Sequence, residues 1–87
     1  MIQFVISVKD RAADVFNRPF FVPHTNVAVR DFTDEINRVA QDNPLSKHPD
    51  DYDLYCLGSF DDNTGAFAAS ETPTLIVRGK DVVKATS

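Results

Sequence analysis

The sequence predicts an α+β fold: an antiparallel β-sheet of four to five strands with one amphipathic helix on one face, in the order β-β-α-β-β. Three observations predict it. Ile2, Phe4, Ile6 and Val8 recur at period two. Ala28, Phe32, Ile36, Val39 and Ala40 recur at helical spacing. A second alternating run, Tyr52 to Phe60, leads into the turn sequence Asp62-Asn63-Thr64-Gly65.

The elements follow in order. Ile2 to Val8 reads as a half-buried strand, with Gln3, Val5 and Ser7 on its other face. Lys9 to Asn17 is a charged connection, in which Ala12, Ala13, Val15 and Phe16 suggest a short helical turn. Arg18-Pro19-Phe20-Phe21-Val22-Pro23 is a short strand, and its prolines place it at an edge. Thr25 or Asn26 suits the helix N-cap. The helix is expected to run to about Asp42, with Arg30, Asp31, Asp34, Glu35, Arg38 and Gln41 outward and Asp34 paired with Arg38. Asn43-Pro44 ends it, and Pro49 biases His48 away from helix.

In the next strand Tyr52, Leu54, Cys56, Gly58 and Phe60 share one face at strict alternation. Asp53, Tyr55, Leu57 and Ser59 share the other, and its apolar members imply a central strand or a covered face. The turn suits a type I geometry closed by Gly65 in the left-handed region. A return strand runs from Phe67 to about Ser70, and a linker follows through Thr72-Pro73. Thr74 to Val77 adds a short strand, and a polar tail is expected to fray from Gly79 to Ser87. The expectation is one domain over residues 1–87 with its core at about 2–78.

Composition bounds the function. No apolar run approaches the ~20 residues of a membrane span. A single cysteine, Cys56, excludes an internal disulfide and fits a reducing cytoplasm. The net charge of −4 argues against a simple electrostatic DNA binder. Asp50, Asp51, Asp53, Asp61 and Asp62 fall in one segment without a base, however. The remaining eight acids face nine bases, so an acidic edge and a near-neutral or mildly basic remainder are expected.

No catalytic motif is present. His24, His48 and Cys56 lack zinc-ligand spacing, and Asp61-Asp62-Asn63 lacks the ligand spacing and closing Glu of an EF-hand. No serine lies in a nucleophile elbow, and Cys56 sits mid-strand as a small hydrophobe. The expectation is a non-enzymatic protein without cofactor or metal. Arg18 beside Phe20 and Phe21 makes a candidate single-strand stacking platform, extended by Arg30, Arg38 and Lys47. Asp50, Asp51, Asp53, Tyr55 and Leu57 make a candidate protein-interaction surface. With one helix on one sheet face, the other face is left open, which implies a partner, a homodimer or a higher oligomer.

Four blocks carry a resemblance: Arg18-Pro-Phe-Phe-Val, Ala28-Val-Arg-Asp-Phe32, His48-Pro-Asp-Asp-Tyr-Asp-Leu-Tyr55 and Leu57-Gly-Ser-Phe-Asp-Asp-Asn-Thr-Gly65. Through these, over about residues 2 to 70, the chain resembles the small nonstructural protein of gokushovirus-type Microviridae, tailless phages with circular single-stranded DNA genomes. The resemblance implies a nonstructural, DNA-binding role in single-stranded genome replication or packaging. It implies a site of action in the cytoplasm of the bacterial host and no place in the mature virion. It supplies no catalytic residues. The alternative is a protein-interaction adaptor or dimeric regulator contacting the replication initiator, a host replication protein or the procapsid.

Overall fold

Strand β1 (Ile2–Asp10) organises the sheet, because both of its edges are paired. In the computed structural model, which describes residues 1–84, one edge takes two short strands, β2 (Val15–Phe16) and β3 (Phe20–Val22). The other edge takes β4 (Tyr52–Asp61), and β4 pairs in turn with β5 (Ala66–Arg78). The strand order is β2-β1-β4-β5 with β3 also on β1, and every pairing is antiparallel. The α+β class and the strand number stand as the sequence predicts, and β4 is central.

The helix α1 (Thr25–Asn37) packs on one sheet face. Ala28, Phe32 and Ile36 meet Ile6, Val22, Tyr52 and Leu54, and all seven are buried. Burying side chains of this size contributes roughly 1.5–3 kcal/mol each. Phe4, Val8, Phe20, Cys56 and Val77 extend the same layer. No helix among the described residues is long and apolar enough to cross a membrane.

Several local expectations are corrected. The stretch read as a helical turn before Asn17 contains β2, entered through Asp14 at φ 58. β2 and β3 act as one interrupted edge strand. Phe16 pairs with Lys9 and Phe20 with Ile6, so Asn17, Arg18 and Pro19 bulge opposite Ser7 and Val8. The buried Ser7 hydroxyl donates to the Asn17 carbonyl at 2.7 Å and pins that bulge.

Helix α1 starts one residue earlier than a Thr25 cap implies and two earlier than an Asn26 cap implies. His24 holds the N-cap position and makes no side-chain cap bond. The helix also stops at Asn37 rather than near Asp42, and Val39 is 92% exposed. The physical reason is Asn43. Its buried amide donates to the carbonyls of Glu35 (2.8 Å) and Arg38 (2.7 Å), and its oxygen accepts from Leu45 N–H (3.2 Å). One side chain thus closes α1 and opens a short second helix, α2 (Pro44–Lys47). Arg38 pairs with Glu35 at 2.6 Å instead of Asp34, and these hydrogen bonds hold the Glu35 carboxyl below its ordinary value.

The hairpin turn forms one residue earlier than expected. Asp61 Oδ1 accepts from Asn63 N–H at 2.9 Å, and its carbonyl accepts from Gly65 N–H at 2.7 Å. Gly65 takes φ 77, as the sequence requires. The expected linker is part of β5, in which Ser70 to Pro73 loop out opposite Leu57. Pro73 is tolerated there because β5 is an edge strand. The segment after Gly79, read as the start of a fraying tail, has specific partners through Lys84. Asn37 Nδ2 donates to the Val82 carbonyl at 2.9 Å, and Lys84 N–H donates to Asn37 Oδ1 at 2.8 Å. Residues 85–87 of that tail lie outside the described residues.

Candidate nucleic-acid interface

The sheet face away from α1 is built by a break in alternation. In β4, Cys56 pairs with Ile6 but Gly58 pairs with Val5, so Leu57 is an extra residue, a β-bulge. Gly58 takes φ 149, and a Cβ there would sit 2.3 Å from the Ala68 carbonyl oxygen. The bulge reverses the facing of everything beyond it. Phe60, expected beside Leu54 on the core face, pairs with Gln3 and lies on the open face.

Four rows cross this face, two residues and so about 7 Å apart along β1. The Gln3 row holds Phe60 and Phe67. The Val5 row holds Phe21, Gly58 and Ala69. The Ser7 row holds Tyr55 and Leu75, and the Lys9 row holds Phe16, Asp53 and Arg78. Five aromatic rings therefore share one surface. Phe60 and Phe67 lie 4.7 Å apart between centroids, with Phe21 5.5 Å from Phe60 and 6.1 Å from Phe67. Phe16 meets Tyr55 edge-on at 5.4 Å, and Lys9 Nζ stands 5.3 Å from the Phe16 centroid. Three of these rings stay open to solvent: Phe67 is 66% exposed, Phe21 43% and Phe16 38%.

The charges on this face lie at its two ends, and at the Gln3 end the Gln3 amide donates to the Asp62 carboxylate at 3.0 Å. The registers place Lys9, Arg78 and Asp53 on it. The Asp53 side chain is 4% exposed, and its Oδ2 lies 3.3 Å from Arg11 Nε. Arg11 also donates to the Asp50 carbonyl from its guanidinium and to the Asp51 carbonyl from its backbone N–H, tying the end of β1 to the turn before β4. Lys9 is shared with Asp14 at 3.4 Å. The acids of the helical layer, among them Asp31, Asp34 and Asp42, lie on α1 or beyond its end and so on the other side of the sheet.

A family model described as phage ORF5 protein matches residues 3–82. The chain belongs to the phage ORF5 protein family. Comparison with curated proteins and with solved structures gave no match. The matched span takes in β1 from Gln3, β2 to β5 and both α-helices described for this ORF5 family member, and so the whole aromatic face.

The structure divides the residues that the sequence suggested for nucleic acid. Phe21 is on the open face, whereas Phe20 pairs with Ile6 and packs into the core. Arg18 is exposed in the bulge between β2 and β3, at the sheet edge. Arg30 is on α1, Arg38 caps its C-terminal end, and Lys47 is on α2, where its ammonium bonds the Gln41 carbonyl. These three lie with the helical layer and not with the rings. The acidic residues are divided as well. Asp50 and Asp51 stand in a 3-10 turn (Pro49–Asp51) at one end of β4, Asp61 and Asp62 at the other, and Asp53 is buried between. Tyr55 belongs to the aromatic face, and Leu57 is the bulge itself. Phe16, Phe60 and Phe67 escaped the sequence reading. The signal for Phe60 was Gly58, since a glycine inside a strand pattern marks a bulge.

Proposed function

We propose that this phage protein is a non-catalytic nonstructural protein that binds single-stranded DNA on its open sheet face, in replication or packaging of a gokushovirus-type genome. The observation that carries the reading is the set of five rings on one solvent-facing sheet surface, with Lys9 and Arg78 in the end row. Base–aromatic stacking is worth about 1–3 kcal/mol per base and tolerates any sequence, because every base has a π-face. Stacking also answers the charge objection. A protein of net charge −4 gains little from phosphate neutralisation, but stacking does not need a basic surface.

The test is fluorescence anisotropy with a labelled single strand across a salt series. Phe67→Ala and Phe21→Ala should each weaken binding roughly tenfold or more, which is what losing one stacked base at about 1.4 kcal/mol implies. Arg30→Ala and Arg38→Ala should leave it unchanged. The salt slope should be shallow, consistent with about two or three phosphate contacts. No binding at low salt would reject the reading. It would leave the same face to a protein partner, the adaptor role in which the replication initiator, a host replication protein or the procapsid is contacted.

A further inference from the structure

We infer that two copies of this chain pair edge to edge through the first part of β5, Ala66 to Ser70, and so join their aromatic faces into one. The two sheet edges differ in how they are protected. On the far edge, β2 has two residues and β3 three, and Pro19 and Pro23 flank β3. Such short, proline-bounded strands offer little to pair with. β5 is the other edge, and Ala66 to Leu75 are exposed throughout. Its middle is blocked, because Ser70 to Pro73 loop away from β4 and bring Glu71 and Pro73 with them.

Ala66-Phe67-Ala68-Ala69 has none of these guards, and Ser70, where the loop begins, ends the segment. It holds no charge and no proline, and it stays in regular register with β4 from Ala66 to Ala69. Its outer row of N–H and C=O groups is unpaired in the sheet order and forms a template for one more strand. A second copy fits that template by a twofold axis. An isologous contact pairs residue i with j and j with i, so a twofold axis at Ala68 sets Ala68 against Ala68 and Phe67 against Ala69, all within the regular stretch, with Ser70 at its end. The segment carries no charge of its own, so the negative copies do not repel at the contact. Phe67 lies in the segment and on the aromatic face, so the face of one copy runs into that of the other. A DNA strand crossing both copies then binds the second at high effective concentration.

Sedimentation of the protein alone is the experiment. The mass should rise with concentration from 9.7 kDa toward twice that value. Ala68→Lys sets two ammonium groups opposite each other and should hold the mass at that of one chain at every concentration, with a melting curve that matches the natural chain's at dilutions where the latter is a monomer. Ala68 pairs with Ser59, on the sheet face that carries α1, so the aromatic surface is untouched. Binding of a short oligonucleotide that spans one copy should therefore survive in Ala68→Lys, which separates failure of this pairing from failure of the DNA reading. Hydrogen exchange on the natural sequence gives a second readout, with the amides of residues 66–70 gaining protection as concentration rises. A single-chain mass up to the solubility limit, a dimer that persists in Ala68→Lys, or amides that exchange equally at all concentrations would overturn the inference.

Discussion

Gly58 decides more of this surface than any other single residue. It lets the chain take a positive φ beside the Ala68 carbonyl, and the bulge that results turns Phe60 from the core face to the open one. Gly58→Ala forces a Cβ into a carbonyl oxygen at 2.3 Å and strains the backbone at φ 149. A loss of about 1–3 kcal/mol in urea denaturation is expected. A neutral result would mean that the bulge relaxes freely. Arg11 is the second critical residue. Its guanidinium holds a carboxylate buried at 4% exposure. Arg11→Ala leaves Asp53 unpaired, at a cost of about 1–2 kcal/mol because Arg11 is itself 44% exposed and partly screened. Arg11→Ala/Asp53→Asn should recover most of that loss, which a purely packing role for Arg11 would not allow.

At the level of elements, α1 and α2 depend on one side chain. Asn43 satisfies two carbonyls at the end of α1 and the first turn of α2 while itself buried. Asn43→Ala removes these bonds and leaves buried acceptors without donors, so thermal unfolding should show a loss of about 2–3 kcal/mol. Asn43→Asp should recover little, because it keeps the acceptor for Leu45 but loses the donor for Glu35 and Arg38. The strands follow a different rule. β1, and β4 as far as Cys56, are placed by alternation, whereas the rest of β4, β2, β3 and β5 are placed by where bulges let them rejoin a ladder. The extra residues at Asn17 to Pro19, Leu57 and Ser70 to Pro73 are local in sequence. Their consequence is a choice of face for the rings that flank them.

For the whole molecule, the sheet separates two chemistries. One side takes the helical layer, the core and the acids of α1, Asp31, Asp34 and Glu35. The other presents five rings with cations at one end. That separation reconciles a net charge of −4 with single-stranded DNA as the proposed ligand. It also predicts that added salt weakens binding less than removal of one ring does. If β5 pairs as inferred, titration with a long oligonucleotide should be cooperative and with a short one it should not.

The sequence alone determined the fold class, the central strands, the helix face Ala28-Phe32-Ile36 and the hairpin at Gly65, because periodicity and turn chemistry are local. Tertiary structure decided the rest. Helix α1 ends at Asn37 because Asn43 folds back onto its carbonyls, and the register of β3 against β1 decides that Phe20, not Phe21, faces the core. Phe16, Phe21, Tyr55, Phe60 and Phe67 come from four strands, and only the pairing of those strands brings the five rings to one face. Register is a property of two strands together, so no single stretch of the chain encodes it.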